Sequence, residues 1–140
     1  MVPSLLHCIN DIERIGDHAV NIAELAERKI DFGLKFSKMA DDEIKKVDFI
    51  TKEMIDDAIK ALPDLNKNLA KNIINKENKL NSLVVEYRTT HTERLGKGIC
   101  KHISGIVFID LLMNFEKIGD HLTNIAQAIQ GRLQWNSDDV

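Results

Sequence analysis

A chain of 140 residues with 44% hydrophobic content is enough for one compact core and short for two independent ones. Its 19 basic and 22 acidic side chains leave a formal charge of −3, which gives no electrostatic pull toward nucleic acid or anionic lipid. Only two prolines and seven glycines interrupt runs rich in Leu, Ile, Ala, Lys and Glu, so the expected class is all-α.

From Ser4, the residues Leu5, Cys8, Ile9, Ile12, Ile15, Ala19, Ile22 and Ala26 recur every three or four positions, which predicts a helix over 4–31. The first residues lack the basic start and apolar run of a secretory leader, so Cys8 and Cys100 are expected to be reduced thiols in a cytoplasmic chain. Pro3-Ser4 directly ahead of an amphipathic run also fits a segment cut from a longer protein, so a membrane-bound parent stays open.

Residues 32–39 break the period around Gly33, with Ser37 or Asp41 as the cap of the next helix. This second helix is expected over 40–62 on Ile44, Val47, Thr51, Met54, Ala58 and Leu62, ending at Pro63. A third is expected over 64–97, with Leu65, Leu69, Ile73, Leu80, Val84 and Tyr87 as its seam and Gly96 and Gly98 as stop signals. A fourth, over 102–134, carries Ile106, Ile109, Leu112, Phe115, Ile118, Leu122, Ile125 and Ile129. Its longest apolar stretch, 106–115, is broken by Asp110 and Asn114 and falls short of the ~20 residues of a bilayer span. Residues 136–140 read as a disordered tail. Four helices with short loops and one wide apolar stripe each pack most simply as an antiparallel four-helix bundle.

The chain repeats itself. Glu-Arg-Ile-Gly-Asp-His-Ala-Val-Asn-Ile-Ala at 13–23 returns as Glu-Lys-Ile-Gly-Asp-His-Leu-Thr-Asn-Ile-Ala at 116–126, identical at eight of eleven positions. Packing alone would repeat the apolar class, yet Glu, Gly, Asp, His and Asn repeat too, so the polar residues carry shared information. Glu13 and Asp17 lie about 40° apart on the helix surface, on one shoulder of a stripe centred on Ile12, and Glu116 and Asp120 occupy the same shoulder beside Phe115. Such stacked carboxylates repel unless something positive neutralises them.

Gly16 and Gly119 cost stability inside a helix and so suggest close approach of a neighbour. His18 and His121 point well away from the glutamates and read as hydrogen-bonding or surface residues. On the third helix Glu77 falls on the seam between Ile73 and Leu80, and an inward carboxylate needs a partner. Asn81 adds an oxygen donor one turn on. Hard oxygen ligands of this kind suit iron, manganese or magnesium, and the absence of paired cysteines argues against structural zinc.

These residues resemble the PhoU family, whose members carry a duplicated three-helix repeat marked by Glu/Asp-x-x-x-Asp helices in the setting Glu-Arg-Ile-Gly-Asp-His-x-x-Asn-Ile-Ala. The resemblance implies a regulator of phosphate transport and signalling that acts on a protein partner. Some PhoU-like proteins bind multinuclear iron or other metal clusters through these carboxylates, which implies Glu13, Asp17, Glu116 and Asp120 as ligands here. Residues 86–100, Glu86 to Cys100, resemble the soluble PhoU-like tail of sodium/phosphate cotransporter family proteins. Against the family's plan, 1–35 corresponds to the last helix of a truncated first repeat and 36–135 to a complete second one. Helices flanking Glu13 and Asp17 are then missing, which leaves part of the first helix's stripe uncovered and implies a homo-oligomer. Asn114 stands where the first copy has Asp11, so the second site holds one charge fewer.

Two function classes remain in view: a regulatory module acting by protein contact with bound metal, and a metal-free helical scaffold for dimerisation. A ferritin-like oxidase requires Glu-x-x-His pairs on two helices, and no such pair occurs. No phosphate loop, His-Glu-x-x-His helix or nucleophile elbow occurs either, so no enzyme activity is expected.

Overall fold

The computed structural model describes residues 2–99 and 101–131. The expected tail at 136–140 and Cys100 lie outside the described residues, and the fourth helix, expected to run to 134, ends at Ile129, where Gly131 takes φ +68° and its N–H bonds Ala128 O. Those described form four helices and no strand: α1 (Val2–Asp31), α2 (Lys38–Ala61), α3 (Lys67–Gly96) and α4 (His102–Ile129).

Local chemistry sets the ends. α1 stops where Gly33 takes φ +60°, its N–H bonding Ile30 O while Leu34 N–H reaches back to Lys29 O. Ser37 is the cap of α2, its hydroxyl oxygen accepting from the Ala40 N–H at 3.2 Å. The α2 helix ends at Ala61, ahead of Pro63. The third helix starts three residues later than the seam pattern suggests. Asn66 is its cap, with Oδ1 accepting from the Asn68 and Leu69 N–H groups at 3.0 and 3.1 Å. Leu65, expected in the seam, instead sits exposed in the turn at φ 52°. An Asn capping bond satisfies two orphan donors of the helix, which outweighs an apolar residue's fit to the period.

Helices α2, α3 and α4 pack on one another, whereas among the described residues α1 packs on α4 alone. The up-down order holds: Leu80 of α3 meets Gly119 of α4, Arg94 of α3 pairs with Glu43 of α2, and Asp11 of α1 pairs with His121 of α4. α4 is therefore the central helix. One of its faces, Phe108, Leu112, Phe115, Gly119, Leu122, Ala126 and Ile129, is buried on the α2–α3 side. A second, through Asn114, His121 and Asn124, meets α1.

This arrangement corrects the reading of the first helix. Ile12 is not the middle of a buried stripe, since half of its surface is exposed. The face that α1 buries runs through Cys8, Asp11, Ile15, His18, Ile22 and Leu25. Its richest apolar stripe is open because no other helix lies beside it among the described residues.

Candidate functional site

The polar residues of the repeat meet across the α1–α4 interface. Asp11 Oδ1 accepts from His121 Nδ1 at 2.8 Å and from Asn124 Nδ2 at 3.2 Å. The repeat spacing carries Asp11 onto Asn114, His18 onto His121 and Asn21 onto Asn124. Asn114 Oδ1 correspondingly accepts from His18 Nδ1 at 3.0 Å and from Asn21 Nδ2 at 3.2 Å. Asn114 Nδ2 donates to Asp110 O at 2.8 Å, which fixes the amide's orientation. Two antiparallel copies of one motif thus clasp each other about a local twofold, with the His18 and His121 rings stacked 5.7 Å apart near its axis. The two histidines are hydrogen-bonding residues, one of the two roles their placement suggested. The exchange of Asp11 for Asn114 falls in the clasp, so it bears on helix docking and not on the charge of the Glu116 and Asp120 shoulder.

The carboxylates separate into two settings. Glu13 and Asp17 are exposed on α1. Gly16 between them has nothing within 4 Å of where a Cβ would stand, so the close neighbour expected there is absent among the described residues. At Gly119, its counterpart, a Cβ would meet Leu80 Cδ2 at 2.7 Å, and the close approach is real.

Beside Gly119 the structure brings Glu77, Asn81 and Asp120 together, with Glu116 half-buried one turn before Asp120. The Thr123 hydroxyl donates to Glu77 Oε2, which supplies the partner an inward carboxylate requires. Burial pushes the Glu77 carboxyl up, the Thr123 bond pulls it down, Asp120 pushes it up again, and Asn81 lowers it. Asn81 Oδ1 is buried without a hydrogen-bond partner. This donor set is all oxygen, and an orphaned amide oxygen beside two carboxylates fits a hard cation. Among the described residues no three His, Cys, Asp or Glu side chains stand close enough to hold a metal by themselves.

One buried polar group escaped the sequence pattern. Arg94 of α3 makes a bidentate pair with Glu43 of α2 at 2.9 and 2.8 Å, and its guanidinium lies 5.5 Å over Phe108. His91 is buried one turn before it, tilted on Phe108 at 5.0 Å, with neither ring nitrogen hydrogen-bonded. The signal was the spacing: the α3 seam continues past Tyr87 through His91 and Arg94, and Glu43 sits one turn before Val47. Tyr87, His91 and Arg94 of the 86–100 stretch are thus core residues of α3.

The similarity of this chain to known proteins runs along the same helices. A family model described as the PhoU domain matches residues 1–26 and 44–129. A phosphate-specific transport system accessory protein PhoU homolog of Thermotoga maritima is 29% identical over 130 residues, covering 90% of this chain and 53% of that protein. A PhoU homolog of Synechocystis carrying the same accessory-protein name is 24% identical over 134 residues, covering 92% of this chain and 56% of that one. The chain spans about half the length of these curated relatives. No solved structure matches.

Proposed function

The chain belongs to the PhoU family, and from that premise we propose that it is a cytoplasmic regulatory module of phosphate uptake that works through protein contact. The observation that carries this reading is that the family match takes in both motif helices, and these are the helices the clasp joins. The two relatives are named as accessory proteins of phosphate-specific transport, and a helical module with no assembled catalytic group among its described residues suits such a role. None of its described helices is long and apolar enough to cross a membrane. Residues 86–100 are the support for a sodium/phosphate cotransporter as the parent.

The finer proposal is a hard cation, iron, manganese or magnesium, between α3 and α4. Glu77, Asp120 and Asn81 Oδ1 would hold it, with Glu116 at the margin. The ion would supply positive charge that relieves the repulsion between Glu77 and Asp120. Glu13 and Asp17 have no facing helix among the described residues, and a cation there would need donors from another chain. A metal-free scaffold is the competing reading, favoured because among the described residues no third His, Cys, Asp or Glu side chain stands close enough to Glu77 and Asp120 to share an ion.

Deleting the coding segment in its host tests the regulatory role. Phosphate uptake is expected to stop tracking phosphate supply in the deletion strain. Uptake that tracks supply as it did before the deletion overturns the reading.

A further inference from the structure

The antiparallel order of the helices brings the stretch between α1 and α2 to the same end of the bundle as the stretch between α3 and α4. The Glu43–Arg94 pair ties the start of α2 to the end of α3, and Phe36 meets Phe108 edge-on at 5.8 Å, which ties the first stretch to α4. Met39, Lys97 and Ile99 share one cleft there. The stretch between α2 and α3 lies at the opposite end.

The charge of this end departs from that of the chain. Residues 32–40 and 95–103 carry Lys35, Lys38, Lys97 and Lys101 and no acidic residue, in a chain whose formal charge is −3. At the opposite end, residues 62–66 carry Asp64 and no basic residue. Lys35, Lys38 and Lys97 are exposed and make no ion pair among the described residues. The acids nearest to them in sequence, Asp31, Asp41 and Glu93, belong to the helices behind. A net negative charge thus hides a local positive potential.

Apolar side chains stand among these lysines. Met39, Ile99 and Ile103 are each more than half exposed. The cleft of Met39 and Ile99 lies on the α2–α3 side, and among the described residues α1 packs on α4 alone, so this part of the surface does not depend on what lies beside α1. Scattered apolar tips ringed by long basic side chains suit a fluid anionic surface, where the tips enter the acyl boundary and the ammonium groups stay at headgroup phosphates. A folded protein partner would need matching shape over a contiguous patch, which separate tips from different segments do not offer.

We propose that this end of the bundle docks on an anionic membrane surface, with Lys35, Lys38 and Lys97 at lipid phosphates and Met39, Ile99 and Ile103 entering the interface. Each lysine near such a surface strengthens binding about fivefold. The contact is reversible and weakens as salt rises. It holds the chain at a membrane without a spanning helix, and it leaves the α1–α4 clasp and the Glu77 cluster, which lie farther along the helices, clear of the lipid.

Vesicle flotation of the full chain tests the proposal. Vesicles of phosphatidylcholine and phosphatidylglycerol in equal parts are expected to carry the chain at low salt, and vesicles of phosphatidylcholine alone to leave it behind. Lys35→Gln, Lys38→Gln and Lys97→Gln together are expected to weaken binding about a hundredfold. Met39→Ser with Ile99→Ser is expected to weaken it about tenfold. All five positions are exposed, so the helical circular dichroism of each variant should match wild type. Lys60→Gln with Lys67→Gln, at the opposite end, should bind as wild type does. A chain that anionic vesicles fail to carry overturns the proposal and leaves an acidic protein as the occupant. So does equal recovery on neutral vesicles, or equal loss from both sets of lysine substitutions, which reports attraction with no docking face. Release by inorganic phosphate beyond that caused by chloride at the same ionic strength reports a site for the free ion and overturns it too.

Discussion

Asp11 on α1 and His121 on α4 hold each other at 2.8 Å across the one interface that α1 makes among the described residues, and Asn114 and His18 hold each other at 3.0 Å in the reciprocal position. The polar half of the repeated motif is thereby accounted for by docking. Each copy supplies an acceptor, a histidine and an asparagine, and each set is completed by the other copy. The carboxylates Glu13, Asp17, Glu116 and Asp120 are the part of the motif that the clasp leaves over.

Breaking the clasp should loosen α1 before the rest. Asp11→Ala removes two part-buried hydrogen bonds, from His121 and from Asn124, with an expected loss of about 1–2 kcal/mol. Asp11→Asn turns the first half into a copy of the second and should cost about 1 kcal/mol. A double-mutant cycle of Asp11→Ala with His121→Ala is expected to show coupling of about 1–3 kcal/mol, and additive effects would show that the contact carries no energy. Hydrogen exchange should locate the change in α1, with α2 and α3 protected as before.

The two equivalent glycines should answer alanine differently. Gly16→Ala fills open space in mid-helix and should stabilise by roughly 0.5–1 kcal/mol. At Gly119 the same gain in helix propensity is opposed by overpacking of Leu80, a fully buried side chain, at about 1–3 kcal/mol. Thermal melts in which both alanines stabilise equally would contradict the close contact at Gly119.

Acid should weaken the α2–α3–α4 end through His91. Burial and the Arg94 guanidinium hold this imidazole below its ordinary value, with Glu43 opposing, so the unfolded chain binds the proton more readily. The neutral histidine's contribution is fully present above the unfolded value of about 6.5 and is lost as pH falls below it toward the folded value. His91→Leu should flatten that part of the stability profile relative to wild type, and identical profiles between pH 5 and 7 would sink the assignment.

Glu77 has the opposite sign. Its folded carboxyl lies above its unfolded value, so stability falls as pH rises between the two, and the charged group is a burden at neutral pH. Glu77→Gln should therefore raise Tm when no metal is present. Manganese or iron should raise the wild-type Tm, and Glu116→Gln with Asp120→Asn should abolish that rise. A wild-type melt unmoved by either ion would leave the metal-free scaffold.

The helices were legible because a 3.6-residue period survives in all four, and Ser37 and Gly33 mark their ends as such residues generally do. The repeat was legible as identity, but its use was not. A helical wheel gives angles within one helix and says nothing of which face a second helix takes, so Ile12 read as core and Asp11 as a charge of the first carboxylate site. Asp11 is in fact buried and Ile12 open, because a paired carboxylate is tolerated at an interface where its partners are supplied. Asn66, His91 and the Glu43–Arg94 pair were missed for a related reason: polar residues in an apolar period look like its end until their partners are seen.

The most direct test joins the clasp to phosphate uptake. A host lacking the chain is given back either wild type or the His18→Ala, His121→Ala variant, whose α2–α4 unit keeps its own packing. Uptake is measured at low and at high phosphate. Wild type is expected to restore the dependence of uptake on supply and the clasp variant to leave it lost at equal protein abundance. Full restoration by the variant would contradict a role for the α1–α4 clasp in regulation.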